Sequence, residues 1–236
     1  MANYYFNFKQ FTIRQENSAF KVGTDGVLLG AYADVSSASN LLDIGTGTGL
    51  IALMLAQRCS AWITAVEPDR SSYLQALGNI ENSRWKERIS IVNCRIQDFF
   101  PEEEKFDLIV TNPPFFSDSL KNPDPKKAAT RHNHDLSNEE LLASVARLLS
   151  DTGIFQIILP YAEGNVFIAD AAQSGLYCVD TLKIRPLPSS EVRRLILKFS
   201  RKRAKHNEKF LTIEHGKRHE FTDDYRELTK EFYLKF

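Results

Sequence analysis

The chain has 236 residues, 43% of them hydrophobic and 25% charged, and its 30 basic residues balance 30 acidic ones. That length supports one α/β domain with a substantial core, or at most two small domains, and the composition excludes a disordered, collagenous or disulfide-stapled chain. Cys59, Cys94 and Cys178 form no CxxC pair, the start MANYYFNFKQ lacks a basic-then-apolar leader, and no run nears the ~20 apolar residues of a membrane span, so a cytoplasmic protein is expected.

Tyr4–Phe8 and Phe11–Ile13 alternate apolar with polar residues and predict a short hairpin. Residues 22–26 predict a turn carrying a helix cap, followed by helix over 27–33. An alternation of short apolar runs and helical patterns follows. Strands are expected over 41–44, 62–66, 89–92, 106–111 and 154–159, with helices over 50–57, 70–82 and 138–149. Repeated β-α-β units with apolar strands predict a parallel sheet covered on both faces. Residues 177–187 and 191–200 predict two longer antiparallel strands joined through Pro186, Pro188, Ser189 and Ser190.

The stretch Leu41-Leu42-Asp43-Ile44-Gly45-Thr46-Gly47-Thr48-Gly49 ends a buried strand in a glycine-rich turn that opens a helix. Such a turn lets a ligand approach the backbone at the carboxyl edge of a sheet. The spacing is GxGxG, with Leu50 where a dinucleotide fingerprint places its third glycine, so a nicotinamide site is disfavoured. Asp43 puts a carboxylate where a pyrophosphate would lie, which suits a ligand carrying a cationic amino group. A second strand ends in Glu67-Pro68-Asp69, and an acid there can accept from both hydroxyls of a ribose. Asp98, after the third strand, can accept from the exocyclic amine of an adenine.

The fourth strand runs into Asn112-Pro113-Pro114-Phe115. A planar amino group is a poor nucleophile because its lone pair is delocalised. The Asn112 side-chain oxygen and the Pro113 carbonyl can each accept one of its N–H groups, which favours a more tetrahedral nitrogen. The prolines hold those acceptors fixed, and Phe115 offers a face on which a base can stack.

Together the three cofactor-facing segments resemble the class I S-adenosylmethionine-dependent methyltransferases, and Asn112–Phe115 resembles the NPPF/Y motif of the amino-methyltransferases within them. Members of that group modify adenine N6, guanine N2 or glutamine amides. Phe20–Ala31, Thr130-Arg131-His132, the closing Phe232-Tyr233-Leu234-Lys235 and Arg193-Arg194 are similar to the bacterial valine-tRNA adenine-N6 methyltransferases, which act on adenine 37 beside the anticodon. The resemblance implies a Rossmann-like α/β fold: a mostly parallel seven-stranded sheet, helices on both faces and an antiparallel C-terminal hairpin. It implies one domain over 1–236, with the N-terminal hairpin and helix in 1–33, the cofactor and NPPF core in 40–160 and a basic hairpin region in 175–218. S-adenosylmethionine is the implied cofactor, held by Asp43, Gly45, Thr46, Gly47, Gly49, Glu67, Pro68, Asp98 and Asn112, with Lys21, Thr24 and Asp25 near its methionine end. Guanine-N2 methylation of ribosomal RNA and glutamine methylation of a protein remain open alternatives. A non-catalytic RNA-binding protein is opposed by the intact Asn-Pro-Pro.

From Lys183 to Arg218 twelve basic residues face three acidic ones, an excess of nine on a neutral chain. Such asymmetry points to a polyanion-binding surface. Arg193, Arg194, Arg201, Lys202 and Arg203 are its candidates, with Lys121, Lys126, Lys127 and Arg131 beside the reacting loop. The expected partner is tRNA, with no membrane and no obligate protein partner. His132 and His134 lack a third ligand nearby, so no metal is expected.

Overall fold

The computed structural model describes residues 4–16, 18, 21–102, 105–114 and 136–236. The N-terminal hairpin pairs β1 (Tyr5–Asn7) with β2 (Thr12–Arg14), Phe6 opposite Ile13. Then come α1 (Thr24–Tyr32), β3 (Asn40–Ile44), α2 (Leu50–Arg58), β4 (Trp62–Val66), α3 (Arg70–Glu81), β5 (Ile89–Val92) and β6 (Phe106–Thr111). The second half holds α4 (Asn138–Leu148), β7 (Leu149–Pro160), α5 (Tyr161–Gln173), β8 (Tyr177–Arg185), β9 (Arg194–Ser200), β10 (Asn207–Thr212) and α6 (Asp223–Thr229).

Eight strands form one sheet in the order β10-β8-β9-β7-β6-β3-β4-β5. All its strands run the same way except β9, which is antiparallel to both β7 and β8. The seven expected strands are therefore joined by an eighth, β10, which adds parallel to β8 at the edge. Alternate residues feed two cores. Leu41, Leu108, Val110, Ile158 and Ile196 face the side covered by α1 and α2. Leu42, Ile109, Ile157, Leu195 and Leu197 face the side covered by α4 and α5. Phe155, Phe167 and Phe199 pack together on that second side with ring centroids 5.7–6.2 Å apart. Truncating one of these buried rings to Ala costs roughly 3–5 kcal/mol.

Two expectations are corrected at the start of the chain. Helix α1 begins at Thr24, not at 27, and its N-cap is Gly23, with no side-chain cap bond. Thr24 and Asp25 lie inside the first turn, so neither caps it. The end of the chain closes on the beginning: the Lys9 ammonium donates to the backbone oxygens of Lys230 at 2.6 Å and Phe236 at 2.9 Å. Rings of Phe6, Phe8 and Tyr233 pack beside that junction.

This topology sends the carboxyl ends of β3, β4, β5, β6, β7, β8 and β10 to one edge of the sheet, together with the amino end of β9. Among the described residues no helix is long and apolar enough to cross a membrane.

Candidate active site

The turn between β3 and α2 takes its shape from three left-handed glycines, Gly45 at φ 68°, Gly47 at 59° and Gly49 at 81°. A Cβ at Gly45 or Gly47 would meet nothing within 4 Å, so the loop presents bare backbone to an open cradle. The loop is held from behind. Gly45 N donates to Val66 O at 2.8 Å, Thr46 Oγ1 donates to Asp43 Oδ2 at 2.6 Å, and Ala52 N donates to the same oxygen at 3.1 Å.

Asp43 is fully buried, and burial pushes its carboxyl up to about 7 against those two hydrogen bonds. Through Oδ2 the side chain braces the loop from behind. Its Oδ1 is buried and has no hydrogen-bond partner among the described residues.

Glu67, 7% exposed, spans from the end of β4 to both neighbouring elements. Its Oε2 accepts from Gly47 N at 2.8 Å and its Oε1 from Asp69 N at 3.0 Å. Burial raises its pKa, and the two backbone donors oppose that rise. Asp69 caps α3 by accepting from Ser72 N at 2.8 Å. Asn93, after β5, donates to the carbonyls of Glu67 at 2.8 Å and Pro68 at 3.1 Å, which pins the ends of β4 and β5 together. Asp98 stands exposed on a short 3-10 turn, Ile96–Asp98. Arg147 of α4 fixes that turn by donating to the carbonyls of Phe99 at 2.7 Å and Ile96 at 3.2 Å.

Asn112 follows β6, which lies beside β3 in the sheet, and Thr111 Oγ1 donates to Ile44 O at 2.9 Å across that pair. Asn112 Oδ1 is buried and has no hydrogen-bond partner among the described residues. An orphaned acceptor of this kind is costly unless a ligand donor completes it. Pro113 is half-buried and Pro114 exposed, while Phe115 lies outside the described residues. The first turn of α1 covers Asn112: a Cβ on Gly26 would sit 3.7 Å from Asn112 Nδ2 and 3.1 Å from Leu50 Cδ2. Asp25, next to it, pairs with Arg194 at 2.8 Å. Lys21 and Thr24 are exposed.

The sheet divides the basic segment. Arg193 and Arg194 lie at the carboxyl edge, since Arg194 is opposite Pro160 at the end of β7. Arg201, Lys202 and Arg203 follow Ser200, which is opposite Ile154, and so lie toward the other edge. Arg201 is withdrawn from the RNA-facing set, because its guanidinium donates to the carbonyls of Ala146, Leu149 and Ser150 at the end of α4. Lys183, Lys198 and Lys209 pair with Glu208, Asp34 and Asp180. Arg203 lies over the Tyr177 ring at 4.2 Å. Arg193 and Lys202 are exposed. Lys121, Lys126, Lys127, Arg131, His132 and His134 lie outside the described residues. Among the described residues no three His, Cys, Asp or Glu side chains gather as a metal site would need.

The model of the methyltransferase small domain family matches residues 18–160. A tRNA1(Val) (adenine(37)-N6)-methyltransferase from Phocaeicola vulgatus is 48% identical over 236 residues, covering 99% of each chain. The chain belongs to that methyltransferase family. The fold agrees with solved structures of low identity. A predicted O-methyltransferase from Agrobacterium tumefaciens superposes with TM-score 0.69 at 19% identity, covering 88% of this chain and 96% of its own. A glycopeptide N-methyltransferase solved with S-adenosylmethionine gives TM-score 0.57 at 11% identity, covering 80% and 99%.

The family's cofactor is S-adenosylmethionine, and the residues present fit it. The open cradle over Gly45 and Gly47 would take the methionine end, and Glu67 would face the ribose hydroxyls. The cofactor supplies a methyl group on a positively charged sulfur. The residues the sequence did not single out are Asn79, Asn93 and Arg147, which join elements distant in the chain and carry no motif.

Proposed function

We propose that the chain transfers a methyl group from S-adenosylmethionine to the exocyclic N6 of adenine in tRNA, with adenine 37 of valine tRNA as its target. The observation that carries this proposal is the buried, unpartnered Oδ1 of Asn112 at the end of β6, beside a glycine loop with an open cradle. An acceptor placed there takes one N–H of the amine, and the Pro113 carbonyl takes the other. Neither can act as a strong base. Their contribution is to orient the nitrogen lone pair and to stabilise the positive charge that develops on it. Phe115 stacks on the flipped base in this scheme.

Arg193 at the carboxyl edge, with Lys121, Lys126, Lys127 and Arg131 after the reacting loop, holds RNA phosphates. Lys217 and Arg218, both exposed, join them on the turn after β10, where Glu214 N donates to Pro186 O at 2.9 Å. The whole chain acts as one catalytic domain, supported by the continuous eight-stranded sheet. Its working compartment is the cytoplasm, which the three free thiols suit.

The test is transfer of labelled methyl from S-adenosylmethionine to total tRNA and ribosomal RNA, with nucleoside analysis. N6-methyladenosine in valine tRNA is the expected product. N2-methylguanosine in ribosomal RNA would overturn the substrate and keep the chemistry.

A further inference from the structure

Arg194 opens β9 opposite Pro160, at the carboxyl end of β7, and β7 lies next to the strand that delivers Asn112. Its Nε donates to Asp25 Oδ2 at 2.8 Å, with the two side chains 34% and 24% exposed. Asp25 belongs to the first turn of α1, whose N-cap is a glycine without a side-chain bond. A turn capped that way has weak local fixation, so a long-range partner matters more. The next residue, Gly26, faces Asn112 and Leu50: a Cβ built on it would lie 3.7 Å from Asn112 Nδ2 and 3.1 Å from Leu50 Cδ2. The line of neighbours runs Arg194, Asp25, Gly26, Asn112.

We propose that Arg194 is a positioning residue for methyl transfer: by holding Asp25 it seats the first turn of α1 against the Asn112 amide and keeps Oδ1 aimed at the incoming amine. This rests on Asn112 being the amine acceptor. It gives Arg194 a role distinct from the phosphate contact that its charge alone suggests. A Cβ at Gly26 would meet Asn112 Nδ2 at 3.7 Å, an ordinary contact, and would ask Leu50 Cδ2, at 3.1 Å, to give by a few tenths of an ångström. The electrostatics favour the arrangement, because an acid in the first turn of a helix is stabilised by the helix dipole and a half-buried pair is less screened than an exposed one.

The experiment compares wild type with Arg194→Ala, Arg194→Lys, Asp25→Asn and the double variant Arg194→Ala/Asp25→Asn. Single-turnover transfer is measured at saturating cofactor and tRNA, RNA affinity is titrated across salt, and the Asn112 side-chain amide is followed by NMR in free protein. Breaking the ion pair should lower the single-turnover rate about tenfold or more, since small misplacements of reacting groups are expensive. The salt slope should hold, the Asn112 amide resonances should move, and Arg194→Lys should recover part of the rate. The double variant should lose no more than either single one, because both break the same link.

Full rate at saturating RNA with a slope flattened by about 0.7 would make Arg194 a phosphate contact instead. Unmoved Asn112 resonances, or additive losses, overturn the coupling. Asp25→Asn is nearly isosteric, so it poses the same question if Arg194→Ala fails to fold. If wild type transfers no methyl to any RNA, the substrate proposal fails, while the Asn112 resonances still decide the coupling.

Discussion

Glu67 Oε2 accepts from Gly47 N at 2.8 Å, so the acid that ends β4 also supports the loop that ends β3. One carboxylate thus holds the glycine loop and, in the proposed site, would also form part of the wall facing the cofactor. A charged hydrogen bond contributes about 1.5–3 kcal/mol, so Glu67→Ala should weaken S-adenosylmethionine binding roughly ten- to a hundredfold. Glu67→Gln keeps one acceptor and should lose less. Calorimetry is the measurement, and unchanged affinity in Glu67→Ala would remove the ribose assignment.

Asn112 should show the opposite division of effects. Its Oδ1 has no hydrogen-bond partner among the described residues, so removing it breaks no bond seen there. Asn112→Ala should lower single-turnover transfer about a hundredfold or more while cofactor affinity stays within about twofold. Equal losses in rate and affinity would make Asn112 a turn residue.

Asp43 gives the fold a pH dependence. Its carboxyl is pushed up to about 7 by burial, against about 3.9 in an unfolded chain. Between those values the folded state binds the extra proton, so this group's stabilising contribution is full below about pH 4 and is lost as pH rises toward 7. Glu67 is raised too and acts in the same direction. Asp43→Asn keeps an acceptor for Thr46 and Ala52 but does not titrate. Thermal melts from about pH 4 to about pH 8, a range set by the two pKa values, should show a flatter profile for Asp43→Asn than for wild type. Parallel profiles would mean that the buried carboxyl keeps an ordinary pKa.

Legibility in the sequence followed how local each signal was. Strands β3 and β6 are mostly apolar because both faces are covered, and they end in the glycine and Asn-Pro-Pro turns that signal the proposed site. Helix α5 is not evident from its pattern: it buries only Gly164, Phe167 and Ala171, and Gly164 reads as a breaker. That glycine is there because a Cβ would lie 2.9 Å from Leu195 Cδ1. Strand β10 is hidden inside the basic run, since four of its six residues are exposed. The Asp25–Arg194 pair joins residues 169 apart, so it becomes visible only when the topology brings α1 beside β9.

Asn79 is another such residue, 3% exposed on α3. Its Oδ1 accepts from Arg14 N at 2.9 Å, and its Nδ2 donates to Arg14 O at 2.9 Å and Thr48 O at 2.8 Å. It therefore ties the N-terminal hairpin to the glycine loop. Leaving buried backbone groups unpaired costs about 1–3 kcal/mol each, so Asn79→Ala should destabilise by on the order of 3 kcal/mol. Urea melts measure this. The same variant should also bind S-adenosylmethionine more weakly, and a loss of stability with intact affinity would confine Asn79 to anchoring the hairpin.

The basic segment is divided between two edges of the sheet. Only the carboxyl edge holds Asn112, so an RNA placing its adenine there meets Arg193, Lys217 and Arg218 before Lys202 or Arg203. Removing one cation that holds a phosphate should flatten the slope of log affinity against log salt by about 0.7 on single-stranded loops. Arg193→Ala should flatten it once, and Lys217→Ala/Arg218→Ala should flatten it further, with cofactor affinity unchanged in both. Lys202→Ala/Arg203→Ala should leave the slope alone. Arg201→Ala should act on stability instead, because its guanidinium closes the carbonyls at the end of α4. Filter-binding titrations at several salt concentrations, run beside thermal melts, separate the two effects. A slope that responds to Lys202 and Arg203 but not to Arg193 would mean that the RNA crosses to the far edge, and the carboxyl-edge path would be wrong.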